Sequence, residues 1–437
     1  MKAHNHKRLT EGTRAKSSRW RERRMTRAIV IGGSLGGLTA ALVLRDQGWD
    51  VEVLERSPNP LEGRGTGIVV HPTTVRYLVE RGGKSLGDIG VPAHSVRYLG
   101  ADGSIVDEQP CAYRFASYFE LYRGLLDAFG TERYRLANEL AHLDNRDDAT
   151  IVSLTNGRTI AADLVVCADG VRSTGRRIML PEARPRYAGY VTWRGTIDSA
   201  ELSDRTAHTL MDAFTYRILP SGHLLTYPIP GPDGAMLCNW LWYQNVSPGP
   251  QLTDLLTDRR GFTAELTVPP GSVQPRHIER LHSAADAELP APLTELVRRT
   301  AEPFIQVIVD LEVPRMVFGR SCLIGDAAFA LRPHIGVGTA KASDDAWQLG
   351  TALLGASARY VPDRLKAWEI QQVPMARRAL QRARAAGRSL QHGTWRVGEP
   401  PPFGLQIPGD SVLPIAFSSP SYCGSARVKI LGPAAPS

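Results

Sequence analysis

Residues Ala28–Glu55 read AIVIGGSLGGLTAALVLRDQGWDVEVLE, and this stretch decides the fold. Ala28–Ile31 is an apolar strand run. The glycine-rich turn Gly32–Gly37 leads into a helical pattern, Leu38–Gln47, that stops at Gly48, and a second strand, Val51–Leu54, closes on Glu55. In that order these elements form a βαβ unit suited to a dinucleotide. Pyrophosphate belongs at the helix N-terminus, where backbone N–H groups lack partners, and ribose hydroxyls belong at an acid about 20 residues on. Gly32, Gly37 and Glu55 stand in place, and Ser34 takes the position of the second glycine. Gly32–Gly36 also spells the G-x-S-x-G elbow of serine hydrolases, with Ser34 as nucleophile. That reading needs earlier strands and an oxyanion loop upstream, where only a charged tail lies.

Two distant segments extend the same site. Gly325–Ala346, GDAAFALRPHIGVGTAKASDDA, is a second glycine-rich turn between the apolar run Ser321–Ile324 and a helical pattern. Its glycines, Gly325, Gly336 and Gly338, let backbone N–H groups approach phosphate, and Asp326 can accept a hydrogen bond from a sugar hydroxyl. Asp169–Arg176, DGVRSTGR, follows the apolar strand Leu164–Ala168 and precedes a helical start.

The three segments, in this order, resemble the signatures of the flavoprotein aromatic hydroxylases, the single-component FAD monooxygenases. Asp169–Arg176 is similar to that family's DGxxSxxR motif and Gly325-Asp326 to its GD motif. Four further stretches, Gly63–Val70, Tyr187–Gly195, Ser221–Gly231 and Leu331–His334, are similar to the 2,6-dihydroxypyridine hydroxylases within the family, and the likeness runs from Ala28 to about His392. It implies an α/β fold: a Rossmann-like FAD-binding domain of the aromatic hydroxylase type with an inserted β-sheet substrate domain. It implies FAD held by Gly32, Ser34, Gly37, Glu55 and Arg56 from the first segment. Asp169, Gly170 and Arg176 of the second would lie near both FAD and the pyridine nucleotide, and Gly325, Asp326, Pro333, Gly336 and Gly338 of the third complete the set. The chain departs from the family at Ala340, followed by Lys341, where an asparagine is frequent, and at Tyr122, where many members carry arginine.

With one dinucleotide fingerprint and no second Rossmann unit, NADH or NADPH is expected as a transient visitor. The resemblance implies that it reduces FAD, that reduced flavin captures O₂ as a hydroperoxide, and that the distal oxygen attacks an electron-rich ring, usually one with an ionisable hydroxyl. A general base contributes about 10²–10⁴ to such a step, and a dry pocket protects the reactive oxygen. Candidate bases and positioning groups are His334, inside the GD turn beside the flavin ring, then His223, His71 and Tyr216. Each has a plain alternative: His334 bonded to turn backbone, His223 exposed in a hairpin turn, His71 and Tyr216 as packing residues. Arg64, Arg194, Arg217 and Arg332 are open to a structural role. The same scaffold also serves oxidases, dehydrogenases, epoxidases and halogenases, or a flavin binder without activity. The W-x-W-x-I-P stretch usual in halogenases is absent.

Composition fits an enzyme of this kind. At 437 residues and 43% hydrophobic, the chain can bury a large core in two or three domains. No apolar run approaches the ~18 residues of a spanning helix. The five cysteines lack paired spacing, which points to core thiols in a reducing, cytoplasmic setting and suggests no metal site. The formal charge of +8 is local: residues 1–27 hold ten of the 52 Lys/Arg and two of the 44 Asp/Glu, leaving 42 of each sign for the rest. Nucleic acid and membranes are therefore not expected partners; a small aromatic substrate and O₂ are, and a homodimer is left open. The basic tail lacks an apolar stretch, so it is not a secretory signal. Met25 directly before the first strand suggests a mis-assigned start, a vector remnant or a disordered arm, and removal of residues 1–24 should leave flavin content unchanged.

The motifs divide the chain into a basic, disordered tail (1–26), an FAD-binding domain (27–187 and 300–390), a substrate domain (188–299) and an extended C-terminal segment (391–437). Alternating patterns at Phe214–Leu219, Leu224–Ile229 and Met236–Tyr243 predict strands of the substrate domain, and Asp254–Gly261 and Leu293–Arg299 predict short helices. Pro374 is expected to break or kink a late helix. Five arginines on that helix, from Arg377 to Arg388, read as a solvated face.

Overall fold

The computed structural model describes residues 25–61, 67–399 and 401–406. The tail before Met25, the stretch holding Gly63 and Arg64, Cys423 and most of the C-terminal segment lie outside the described residues.

Arg27–Ile31 is buried along its length after Arg27, as expected of a central parallel strand, where both faces are covered and the sequence is continuously apolar. It lies in a six-stranded sheet ordered Val317–Phe318, Ser321–Leu323, Leu164–Cys167, Arg27–Ile31, Asp50–Leu54, Tyr134–Arg135. Every pairing except the first is parallel. The register aligns strand ends: Ile31 sits opposite Cys167 and Leu54, and Cys167 opposite Leu323. The turns that follow these strands, at Gly32, Asp169, Glu55 and Gly325, therefore leave the sheet side by side at its C-terminal edge, where open parallel sheets bind ligands. Helices Leu35–Asp46 and Gly338–Leu353 follow the first and last of those turns and pack on each other.

A nine-stranded sheet forms the second layer, ordered Thr267–Val268, Phe304–Asp310, Arg186–Asp198, Met236–Asn245, Gly222–Pro230, Ala213–Leu219, Val91–Leu99, Ile105–Ser117, Gly67–Val69. It is wider than the interval 188–299: three strands come from residues 67–117 and one from Phe304–Asp310. Period-two alternation divides its faces. Trp193, Trp240 and Trp242 turn to one side, into a core shared with helices Pro275–Glu288 and Ala291–Arg299. Phe214, Tyr216, Tyr227 and Tyr243 turn to the other. Burying side chains of this size contributes about 1.5–3 kcal/mol each. A third sheet, Leu140–Asn145, Thr150–Leu154 and Thr159–Ala162, completes the fold.

Three local expectations need correction. Pro374 does not end its helix, which runs Val361–Gln391 with the proline inside. Val373, Met375, Ala376 and Leu380 around it are buried, and this packing outweighs the missing N–H bond. Residues 254–261 are not one helix; helix Pro250–Leu256 stops at Thr257, whose extended backbone bridges to Thr263. The late arginines are only partly solvated: Arg384 pairs with Asp310 at 3.2 Å, and Arg382 donates to the carbonyls of Pro402 and Gly404, both at 2.8 Å. That last contact folds residues 401–406 back onto the protein, where an extended tail was expected. Among the described residues no helix is long and apolar enough to cross a membrane.

Candidate active site

Two cavities flank the aligned turns. The smaller, about 170 Å³, is lined by Gly32, Ser34, Glu55, Arg56, Asp169 and Gly170, among others. The larger, about 310 Å³, lies between the GD turn and the aromatic face of the nine-stranded sheet, and its walls include Asp326, Pro333, Gly336, Gly338, His334 and Tyr216. Most of the expected cofactor residues thus fall into one cavity or the other.

The cradle is held by its own polar groups. Glu55 accepts from Gly33 N–H at 3.0 Å and Ser57 N–H at 2.8 Å, which fixes the carboxylate at the groove with lone pairs to spare. Asp169 Oδ2 accepts from the N–H groups of Thr174, at 2.7 Å, and Gly175, at 3.1 Å, while its buried Oδ1 has no hydrogen-bond partner. Burial pushes this carboxyl up from its ordinary value, against hydrogen bonds from Ser173 and the turn backbone. Asp326 lines the larger cavity with accessible surface, and the protein around that opening still pushes its carboxyl up to about 6; desolvation leads, Lys341 and Arg176 oppose it, and Asp345 adds to it. Ser34 bonds Tyr118 Oη at 2.8 Å, and Tyr118 stacks on Tyr122, so aromatic rings stand where an arginine was expected. A groove with an unsatisfied buried carboxylate oxygen, glycine backbone at its floor and a helix N-terminus at its end fits an extended dinucleotide.

Three expected cofactor residues lie outside both cavities. Arg176 is 2% exposed, and its guanidinium donates to the carbonyls of Val171, Ala183 and Ala327. It braces the DG turn against the GD turn rather than reaching into the groove, because three carbonyls already take its donors. Gly37 packs beneath the fingerprint, where a Cβ would strike the Gly32 carbonyl oxygen. Gly325 donates its N–H to Asp345 Oδ2 at 2.8 Å.

The histidines separate by environment. His334 lines the larger cavity and its Nε2 bonds Tyr190 Oη at 2.8 Å. Burial, aided by the Arg332 charge, pulls its imidazole down to about 3, so the ring is neutral at neutral pH, with a buried Nδ1 that has no partner. His223 lies within strand Gly222–Pro230, not in an exposed turn; it is fully buried, stacked on Tyr243 at 4.5 Å and 5.2 Å from His334, ring centre to ring centre. Burial, with His334 beside it, holds His223 well below the usual imidazole range. His71 precedes helix Pro72–Glu80 and bonds the Gly336 carbonyl at 2.9 Å, fixing the GD turn rather than lining the cavity. Tyr216 does line it, stacked on Tyr98 with ring centres 5.5 Å apart.

Several lining residues were not among the expected site residues: Tyr227 and Arg194, which lie within the family-like stretches without an assigned role, and Tyr243, Gln306 and Phe403. The signal for the tyrosines was the i, i+2 aromatic alternation on adjacent strands, Phe214/Tyr216 beside Leu225/Tyr227 and Leu241/Tyr243. Phe403 arrives from the folded-back C-terminal segment and packs on Tyr113 and Phe214, with ring centres 5.2 and 5.5 Å apart; no local pattern announces it.

Comparison with known proteins identifies the family and the fold. Residues 25–240 match the FAD binding domain family, and residues 187–310 match an FAD binding domain-like family. The 2,6-dihydroxypyridine 3-monooxygenase of Paenarthrobacter nicotinovorans is 41% identical over 378 residues, covering 86% of this chain and 94% of that protein. The structure of 2,6-dihydroxypyridine-3-hydroxylase from Arthrobacter nicotinovorans superposes with a TM-score of 0.84 at 41% identity, over 89% of this chain and 98% of that one. Klebsiella pneumoniae HpxO, in its complex with FAD and uric acid, shares the fold at 23% identity, with a TM-score of 0.69 over 84% of this chain and 89% of that one. This chain belongs to the FAD-dependent aromatic hydroxylases, the single-component flavoprotein monooxygenases.

Proposed function

We infer that the protein is an FAD-dependent monooxygenase that uses NADH or NADPH and O₂ to hydroxylate a small, electron-rich aromatic ring, with a hydroxylated pyridine as the preferred class. The observation that carries this reading is the convergence of the three turns on one sheet edge, opening into an aromatic-walled cavity. The 41% identity to a 2,6-dihydroxypyridine 3-monooxygenase supports the ring class. In this reading the enzyme works in the cytoplasm, where the nicotinamide is available, with a homodimer as the oligomer to test for.

In this reading Glu55, with Arg56 beside it, holds the adenosine ribose, and the helix N-terminus after Gly32 and Ser34 faces the pyrophosphate. Asp169 and Asp326 take flavin-side hydroxyls, and the backbone of Pro333, Gly336 and Gly338 borders the ring. Bound FAD supplies two-electron transfer from the nicotinamide and activation of O₂. The chain's own contribution is a dry chamber. Phe214, Leu225, Tyr227, Leu241 and Phe403 exclude water, and His334, kept neutral by burial and held through Nε2 by Tyr190, presents its ring to the substrate from the cavity wall. His223 and Tyr243 pack against His334, Tyr216 lines the chamber beside them, and His71 secures the turn that carries His334.

His334→Asn is expected to lower hydroxylated product per NAD(P)H consumed, with the hydroxylation rate falling about 10²-fold or more, while flavin content stays near that of the wild type. Product analysis beside NAD(P)H consumption checks this; an unchanged yield would remove His334 from the mechanism. A panel of hydroxypyridines and phenols, scored for stimulated NAD(P)H oxidation, tests the ring class. Stimulation by phenols with none by hydroxypyridines would overturn it.

A further inference from the structure

Four arginines could not be sorted by sequence, and the structure gives two of them protein partners. Arg332 is neutralised by Asp310, with paired contacts of 2.8 and 3.0 Å. Arg217 reaches the Leu99 carbonyl and lines neither cavity. Arg64 lies outside the described residues. Arg194 remains. It sits on strand Arg186–Asp198 between Trp193 and Gly195, which face the opposite core, so alternation turns it into the larger cavity.

Its surroundings are unusual for a cation. One guanidinium nitrogen donates to Gln306 Oε1 at 2.8 Å, its Nε is buried without a partner, and the Phe304 ring lies 5.9 Å away. Among the described residues no carboxylate pairs with it. Other buried cations among the described residues spend their donors on the protein: Lys341 pairs with Asp345 and Arg97 with Glu108, both at 2.7 Å, while Arg176 and Arg320 each donate to three backbone carbonyls. An enclosed guanidinium without an anion costs free energy unless a ligand provides one.

We propose that Arg194 binds the ring substrate as its oxyanion, holding a deprotonated ring hydroxyl against the guanidinium and so selecting ionisable hydroxylated N-heteroaromatics over neutral rings of the same shape. This rests on the hydroxylase reading and names its substrate form. An anionic oxygen raises electron density in the ring, which is what electrophilic oxygen transfer requires. The remaining titratable groups of the cavity leave Arg194 as its one cation above neutral pH: burial pushes Tyr227 up to about 12 and holds Tyr216 and Tyr243 well above the usual phenol range, and His334 stays neutral. Asp326, on the GD side, is ionised there.

The test is equilibrium binding to the flavin-loaded enzyme without NAD(P)H, followed by the flavin absorbance change between pH 7 and 9. The probes are 2,6-dihydroxypyridine and 2,6-dimethoxypyridine, which keeps the ring and has no proton to lose. The wild type should bind the dihydroxy probe more tightly as its hydroxyl ionises. Arg194→Gln should weaken that binding about 10- to 100-fold and abolish the pH trend, with Arg194→Lys intermediate and the dimethoxy probe changed less than about twofold. Retention of affinity and pH trend in Arg194→Gln would overturn the proposal, as would equal loss of both probes or absence of a pH trend in the wild type. Oxygenated product from the wild type is scored separately. Product without Arg194 dependence sinks this proposal alone, and Arg194-dependent binding without product sinks the hydroxylase reading instead.

Discussion

Gly32→Ala is expected to yield folded protein that purifies without flavin. Gly32 has φ +98°, a region that costs a non-glycine residue about 1–3 kcal/mol. A Cβ there would also sit 2.5 Å from the Ala168 carbonyl oxygen and 2.9 Å from Asp169 Cα. Both neighbours are backbone of the DG turn, so the methyl would separate two of the three turns that form the groove. Strain and displacement together predict an affinity loss of about 10²-fold or more, since 1.4 kcal/mol is tenfold. Gly48→Ala is the control. Gly48 has a similar φ of +87°, but nothing lies within 4 Å of its added Cβ. It should lose about 1 kcal/mol of stability and keep its flavin. Flavin absorbance per protein, with circular dichroism to confirm folding, distinguishes the two; equal flavin content would show that the turns do not meet around the cofactor.

Lys341→Met is expected to cost about 3–5 kcal/mol of stability, the range for removing one member of a buried pair. Lys341 is 1% exposed. Its ammonium bonds Asp345 at 2.7 Å and the Gly325 carbonyl at 3.2 Å, while Asp345 accepts the Gly325 N–H. The pair therefore clamps both backbone groups of the glycine that opens the GD turn. Without the ammonium, burial drives the Asp345 carboxyl further up, and the clamp on Gly325 weakens. Adding Asp345→Asn to Lys341→Met should restore part of the loss, because an amide leaves no buried charge. Urea denaturation of the flavin-loaded variants checks both statements, and a double variant no more stable than the single one would contradict the buried-charge account.

The dinucleotide turn, the DG and GD segments and their meeting at one edge were legible because each is a local pattern: an apolar run, then glycines, then a helical period. The larger cavity was not, because its walls are set by strand register. His223 looked like a turn residue beside Ser221-Gly222, yet pairing of Gly222–Pro230 with Met236–Asn245 on one side and Ala213–Leu219 on the other buries it against Tyr243. Arg176 carried the family motif but is held by carbonyls from three separate turns, which no single segment reveals. Lys341 looked like a departure from the usual asparagine neighbourhood, and only the i, i+4 geometry with Asp345 gives it a role. Phe403 reaches the cavity by a long return of the chain that has no periodicity to read.

The central claim is that the three turns gather around FAD so that the chain inserts one oxygen atom from O₂ into a hydroxylated ring. Incubation of the purified, flavin-loaded protein with ¹⁸O₂, NADH or NADPH and 2,6-dihydroxypyridine tests it most directly, with mass spectrometry of the product. Substrate-stimulated nicotinamide oxidation and a single ¹⁸O atom in the ring product are predicted. Nicotinamide oxidation that yields only hydrogen peroxide, across the hydroxypyridine panel, would contradict it.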